Sequence, residues 1–202
     1  MAIKGLSRLV VAEYTADNNK VTYTNPQLTE KMSEYALDIT QTEDNPLYLD
    51  NGVAEMDNGT FETGQLTINT GNLSQETSVK ILGIKEKDFT VNGKQVKELV
   101  YDDKINAPAL GVGLIELHQV NNVDKYKGIW MPKVVFKIPN DSAKTKGKSV
   151  EWQTKEIVGT VMRSDEVNET SVHPWKNESW FDSETDALEY LMIKGGKTAG
   201  GK

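Results

Sequence analysis

The chain reads as a mainly β protein, a sandwich or barrel with one or two short α-helices. Three observations predict it. Short runs alternate between apolar and polar residues, the period of half-buried strands. Asn-Gly pairs at 51–52, 58–59 and 92–93 offer the positive backbone angles of tight hairpins. Only two stretches have helical spacing, and a serine precedes each at the N-cap position. Many strands joined by turns, with few helices, make a sandwich or barrel with helices packed at its ends.

Residues 6–14 open as a strand, with Leu6, Val10 and Ala12 on one face and Leu9 and Val11 on the other. After the polar Asp17-Asn18-Asn19-Lys20, residues 25–34 hold Pro26 and few large apolar side chains and read as a loop. Short strands follow at 35–42 and 53–56. In the next, Leu66 and Ile68 point one way and Gln65, Thr67 and Asn69 the other. Ser74 caps a helix over 74–82, with Glu76 in its first turn and Val79 and Leu82 on one face. A hairpin spans 89–101 around Asn92-Gly93. Two long strands come next, at 110–120 and 125–138. In the second, Trp130, Val134, Phe136 and Ile138 share a face, and Pro132 marks a bulge or an edge.

Residues 140–149 form a polar, basic connection, long for a hairpin. A strand over 150–162 puts Val150, Trp152, Val158 and Met162 on one side and Ile157 and Val161 on the other. Its second half, apolar on both faces, wants cover on both, from a core or from a neighbouring subunit. Residues 165–179 read as irregular. A second helix over 183–192 carries Ala187, Leu188, Leu191 and Met192 on a narrow apolar face, with Glu184 and Asp186 near its positive end. One domain is expected over 1–194, with a flexible Gly-rich tail over 195–202.

Composition narrows the function. Among 202 residues, 23 Lys and Arg face 30 Asp and Glu, a net charge of −7. Such a chain does not grip a nucleic acid backbone over a broad face, though it can enclose one without sticking. The absence of cysteine excludes disulfides and thiolate metal sites. No apolar run approaches the ~18 residues of a membrane helix, and the first residues lack a signal peptide's apolar stretch, so synthesis in the cytoplasm is expected.

Catalytic signatures are missing. His118 and His173 stand 55 residues apart without metal-ligand spacing. His118 is expected to face solvent or a subunit contact, and His173-Pro174 to lie in a loop. Asp102-Asp103 reads as a turn, and Gly111-Val112-Gly113 opens a strand instead of the helix a phosphate loop needs. Asp50-Asn51-Gly52 and Asp57-Asn58-Gly59 lack the spaced acids and terminal Glu of a calcium loop. Neither an enzyme nor a cofactor is expected.

The order of features resembles the major tail proteins, or tail tube subunits, of long flexible-tailed (siphovirus) bacteriophages of Gram-positive hosts. The resemblance rests on the Gly5-Leu6 strand, the block from Leu47 to Asn51, and the strand from Phe61 leading into Asn72-Leu73-Ser74. It continues through Asp102-Asp103, Ala107-Pro108-Ala109 and Gly111-Val112-Gly113, and the strand from Trp130 to Phe136. Val150-Glu151-Trp152-Gln153-Thr154 and the Phe181-Asp182-Ser183-Glu184 cap with its helix complete it. It spans nearly the whole chain, carried by order and spacing with no single specific motif. It implies a virion protein forming hexameric rings that stack into a tube, through which DNA passes without specific binding. The implied partners are further copies of itself and the tape measure, tail terminator and distal tail proteins.

Residues 30–62 hold nine acids and one base, Lys31. The plain reading is a solvated face. The sharper one, given a tube, is that Glu55, Asp57 and Glu62 line the lumen and repel phosphates. Lys144, Lys146 and Lys148 then suit an inter-ring loop that orders on a neighbour. Ile157 and Val161 become ring-interface candidates. The reading from another class is a β-sandwich carbohydrate-binding or adhesion module with Trp130, Trp175 or Trp180 as a sugar platform.

Overall fold

The computed structural model describes residues 2–145 and 152–198, and within them the mainly β expectation holds. The strands are β1 (Ala2–Asp17), β2 (Lys20–Leu28), β3 (Met32–Gln41), β4 (Asn45–Leu49), β5 (Gly52–Asp57), β6 (Phe61–Thr70), β7 (Lys85–Val91), β8 (Lys94–Val100), β9 (Ala109–Val120), β10 (Val123–Phe136), β11 (Lys155–Met162) and β12 (Asn177–Phe181). The helices are α1 (Gln75–Leu82) and α2 (Glu184–Lys194). Eight strands make one antiparallel sheet in the order β2-β1-β9-β10-β11-β6-β3, with β12 also paired to β10. The sheet curls until β1 meets β3.

Two cores result. Inside the curl, Leu9, Val11, Leu66, Ile68, Leu114, Met131 and Phe136 pack together, closed at one end by Ile81 and Leu82 of α1. Outside it, Val10, Ala12, Ile115 and Trp130 meet Ala187 and Leu191 of α2, the apolar face the sequence predicts. β9 is buried on both faces for this reason. Gly111 and Gly113 make room there. A Cβ on Gly111 would stand 2.3 Å from Cζ2 of Trp130, and one on Gly113 would stand 2.8 Å from Cδ2 of Leu191.

Bulges correct two predicted faces. Register slips between Ser7 and Val10, where Arg8 takes a φ of 57°. Leu6 therefore packs into the inner core with Leu9 and Val11, not beside Val10. A second slip between Met131 and Val134 is the bulge expected at Pro132. It sends Trp130 to the outer core while Val134 and Phe136 stay inside. Past this bulge β10 changes partner, from β12 to β11.

The segment read as a loop over 25–34 is mostly strand. β2 runs through Pro26 because it is a sheet edge, where a missing N–H costs no ladder bond. Residues 177–179, the end of the stretch read as irregular, belong to β12. α1 buries Thr77, Ser78, Ile81 and Leu82 and leaves Val79 half-buried. Of the strand expected over 150–162, residues 150 and 151 lie outside the described residues, 152–154 are not strand, with Trp152 92% exposed, and β11 starts at Lys155. Of the tail expected over 195–202, Gly195 to Thr198 pack on the fold, and residues 199–202 lie outside the described residues. Gly195 is buried, and Gly196, at φ 97°, lies so close to Tyr23 that a Cβ would meet its carbonyl oxygen at 2.0 Å.

Four hairpins turn through two left-handed residues: Asn18-Asn19, Asp50-Asn51, Asn92-Gly93 and Asn121-Asn122. Asn and Asp tolerate that region, so glycine is needed in only one of the four. Asn58-Gly59, expected to be a turn, has no positive φ. Gly59 serves close approach: a Cβ there would stand 1.9 Å from the carbonyl oxygen of Thr42.

Candidate assembly surface

Two hairpins stand apart from the large sheet, each a two-stranded sheet of its own. The first arm is β4–β5 and the second β7–β8. Isolated two-stranded hairpins are marginal in water, so what holds each root matters. At the first arm's root the Thr42 and Thr60 backbones pair, with the Thr42 amide 2.9 Å from the Thr60 carbonyl. Thr60 N–H donates to the Thr42 hydroxyl at 2.9 Å, and Gly59 N–H to Oδ1 of Asp44 at 2.6 Å. Arg163 donates from Nε to the Phe61 carbonyl at 3.0 Å, and Trp175 stacks flat on Phe61 at 4.4 Å. The second arm follows the left-handed Gly83 cap of α1 and roots on the inner core through Ile84 and Leu99.

Beyond these roots the arms are bare. Tyr48 is 64% exposed, Leu49 59% and Phe89 54%, with Leu47, Val53, Met56, Val91 and Val96 also exposed. The pairings define the faces. On the first arm Pro46–Met56 and Tyr48–Val53 share one face, while Asn45–Asp57, Leu47–Glu55 and Leu49–Gly52 share the other. On the second, Lys85–Val100, Lys87–Glu98, Phe89–Val96 and Val91–Lys94 lie together. Its opposite face carries Glu86, whose carboxylate pairs with Lys97 at 2.6 Å, and Leu99. Apolar side chains clustered on thin, uncovered ribbons are an unusual use of surface in a lone chain.

The predicted site residues scatter. Glu55 and Asp57 share one face of the first arm, whereas Glu62 sits on the body, exposed at a bulge opposite Thr40–Gln41. Of the other acids, Glu30 is a structural cap. Burial pushes its carboxyl upward, but the Ser74 amide and the Ser74 and Thr77 hydroxyls outweigh that and hold it below its ordinary range. Lys144 is exposed, and its amide donates to Oε1 of Gln153 at 3.1 Å across the loop; Lys146 and Lys148 lie outside the described residues. Ile157 and Val161 are 1% and 0% exposed in the inner core. As ring-interface candidates they are corrected: β11 spends that face on its own chain, opposite Ile68 and Gly64.

His118 is likewise corrected, being buried instead of facing solvent. β12, missed in the sequence, covers it with Trp180, whose ring meets the imidazole edge-on at 4.7 Å. His118 Nε2 lies 2.8 Å from Oε2 of Glu116, and the Tyr35 hydroxyl donates to Oε1 of Glu116. Burial, then Glu116, holds the Tyr35 hydroxyl well above its ordinary range and so protonated. The trio joins β3 to β9 across the curl. Among the described residues, no three His, Asp or Glu side chains come together to hold a metal ion, and no helix is long and apolar enough to cross a membrane. Of the three tryptophans weighed as a sugar platform, Trp130 is 1% exposed, Trp175 is stacked on Phe61, and Trp180 has Lys127 over its ring at 5.8 Å.

No protein-family model matches this chain, and no curated protein matches it in sequence.

Proposed function

We propose that this chain is a self-assembling structural protein, the tail tube subunit of a long flexible-tailed phage, whose hexameric rings stack into a conduit for DNA. The observation carrying this reading is the pair of firmly rooted hairpin arms with uncovered apolar side chains. A folded body that already buries two cores has no internal use for them. A second copy supplies the missing cover. Heterologous contacts of that kind close into rings or extend into filaments.

The outward face of β3–β6–β11 supports the conduit. It presents Glu34, Asp38 and Glu156 among Thr63, Gln65, Thr67, Asn69 and Thr160, with no base on β3 or β6 and with Lys137 and Lys155 at one end beside Gln65 and Glu156. A wall of that character repels phosphates and offers them few partners. Of the tryptophans weighed for the carbohydrate-binding alternative, Trp130 is buried and Trp175 is stacked on Phe61, which leaves it Trp180, 44% exposed.

Electron microscopy of the purified chain tests the reading. Rings or tubes about ten nanometres across, the size of six compact ~20 kDa subunits, are expected. Discrete monomers at every concentration, with affinity for a glycan array, would overturn it.

A further inference from the structure

The two arms are complementary in charge as well as in exposed apolar surface. From residue 43 to residue 59 the chain holds Glu43, Asp44, Asp50, Glu55 and Asp57 and no lysine or arginine. The outward face of the second arm sets Lys85, Lys87 and Lys94 around Phe89, Val91, Val96 and Val100, with Glu98 its one acid. Among the described residues, none of those three lysines pairs with a carboxylate, and neither Glu55 nor Asp57 pairs with a base. Lys97, on the opposite face, is the arm's neutralised lysine. Each arm thus exposes an apolar stripe flanked by net charge, acidic on the first and, with three lysines against Glu98, basic on the second.

We infer that the Leu47–Leu49–Glu55–Asp57 face of the first arm docks on the Lys87–Phe89–Lys94–Val96 face of the second arm of another copy. This rests on the self-assembly reading and sharpens it. It names the two surfaces that meet, and it assigns Glu55 and Asp57 to a contact between copies instead of to a lumen. The apolar stripes supply most of the buried area, and the flanking charges set direction. Like arms repel, so each arm meets the other kind of arm on a neighbour, and where that contact is not reciprocated between the same two copies it continues into a ring or filament.

Two double variants test it by sedimentation velocity and electron microscopy: Glu55→Lys with Asp57→Lys, and Lys87→Glu with Lys94→Glu. All four side chains are exposed, so each variant is expected to melt as the wild type does, checked by circular dichroism. Each alone meets like charge and is expected to need at least about tenfold more protein to assemble. Mixed in equal amounts, the variants present opposite arms to one another, and assembly is expected to return. Assembly of the wild type is also expected to weaken as salt rises from about 0.05 M to about 0.5 M.

Assembly of either variant alone at wild-type concentration would overturn the docking, as would a mixture that stays dispersed or assembly indifferent to salt. In those cases the assembly reading survives, because the wild type still polymerises. A wild type that never associates removes both.

Discussion

The body and the arms solve the burial problem in opposite ways. In the body, β9 is covered by the curled sheet on one side and α2 on the other, and its glycines yield space to Trp130 and Leu191. In the arms, apolar residues as large as Tyr48 and Phe89 ride on two-stranded ribbons with nothing over them. The first arm's root is nevertheless held by named hydrogen bonds and a stacked ring pair, and the second's by Ile84 and Leu99 in the inner core. Instability is thus kept out of the roots, and exposure is confined to the projecting faces. The difference separates residues that fold the chain from residues that await a neighbour.

Substitutions should divide along the same line. Trp130→Ala empties the outer core and is expected to cost about 3–5 kcal/mol, read by urea denaturation. A loss under 1 kcal/mol would mean that α2 contributes little to the body. Gly111→Ala pushes a methyl group against the Trp130 ring, and about 1–3 kcal/mol is expected from overpacking. Ser74→Ala removes the hydroxyl that caps Thr77 N–H at 3.3 Å and is expected to cost ~1 kcal/mol. At the small end, Tyr48→Ser and Phe89→Ser should leave the melting curve within ~0.5 kcal/mol of wild type while impairing assembly. A large loss of stability there would place the arms with the body.

Acid should strike the body in a defined direction. Lys133 and then Tyr14 hold the Asp165 carboxyl below its ordinary range, as Lys127 does for Glu178 and Arg8 for Glu184. A carboxyl lowered by folding stabilises fully above its unfolded value, about 4, and that stabilisation disappears as pH falls through the folded value. The stability these carboxyls supply should therefore be complete well above pH 4 and decline below about pH 4. Asp165→Asn should flatten the acid limb. Denaturation curves across that range decide the matter.

Much of the fold is legible in local pattern. The alternation of Leu66 and Ile68 with Thr67 and Asn69, the Ser74 and Ser183 caps, the Asn92-Gly93 turn and the Pro132 bulge all follow from residue chemistry acting over a few positions. Asn18-Asn19 and Asn121-Asn122 carried a turn signal that a search for Asn-Gly passes over. The acidic run over 43–59 was visible too. What the acids face was not, because a linear run does not say which residues share a ribbon face.

Sequence by itself determined the β class, the capped helices and the charge of each segment, since these depend on side-chain size, branching and hydrogen bonding within a few residues. Only the tertiary structure decided that Ile157 and Val161 are core, that β12 roofs His118, and that two hairpins stand clear of the sheet. Burial on the second face of a strand depends on what arrives from far along the chain. The one-residue slip at Arg8 reverses every face beyond it, and no local periodicity records where that slip falls.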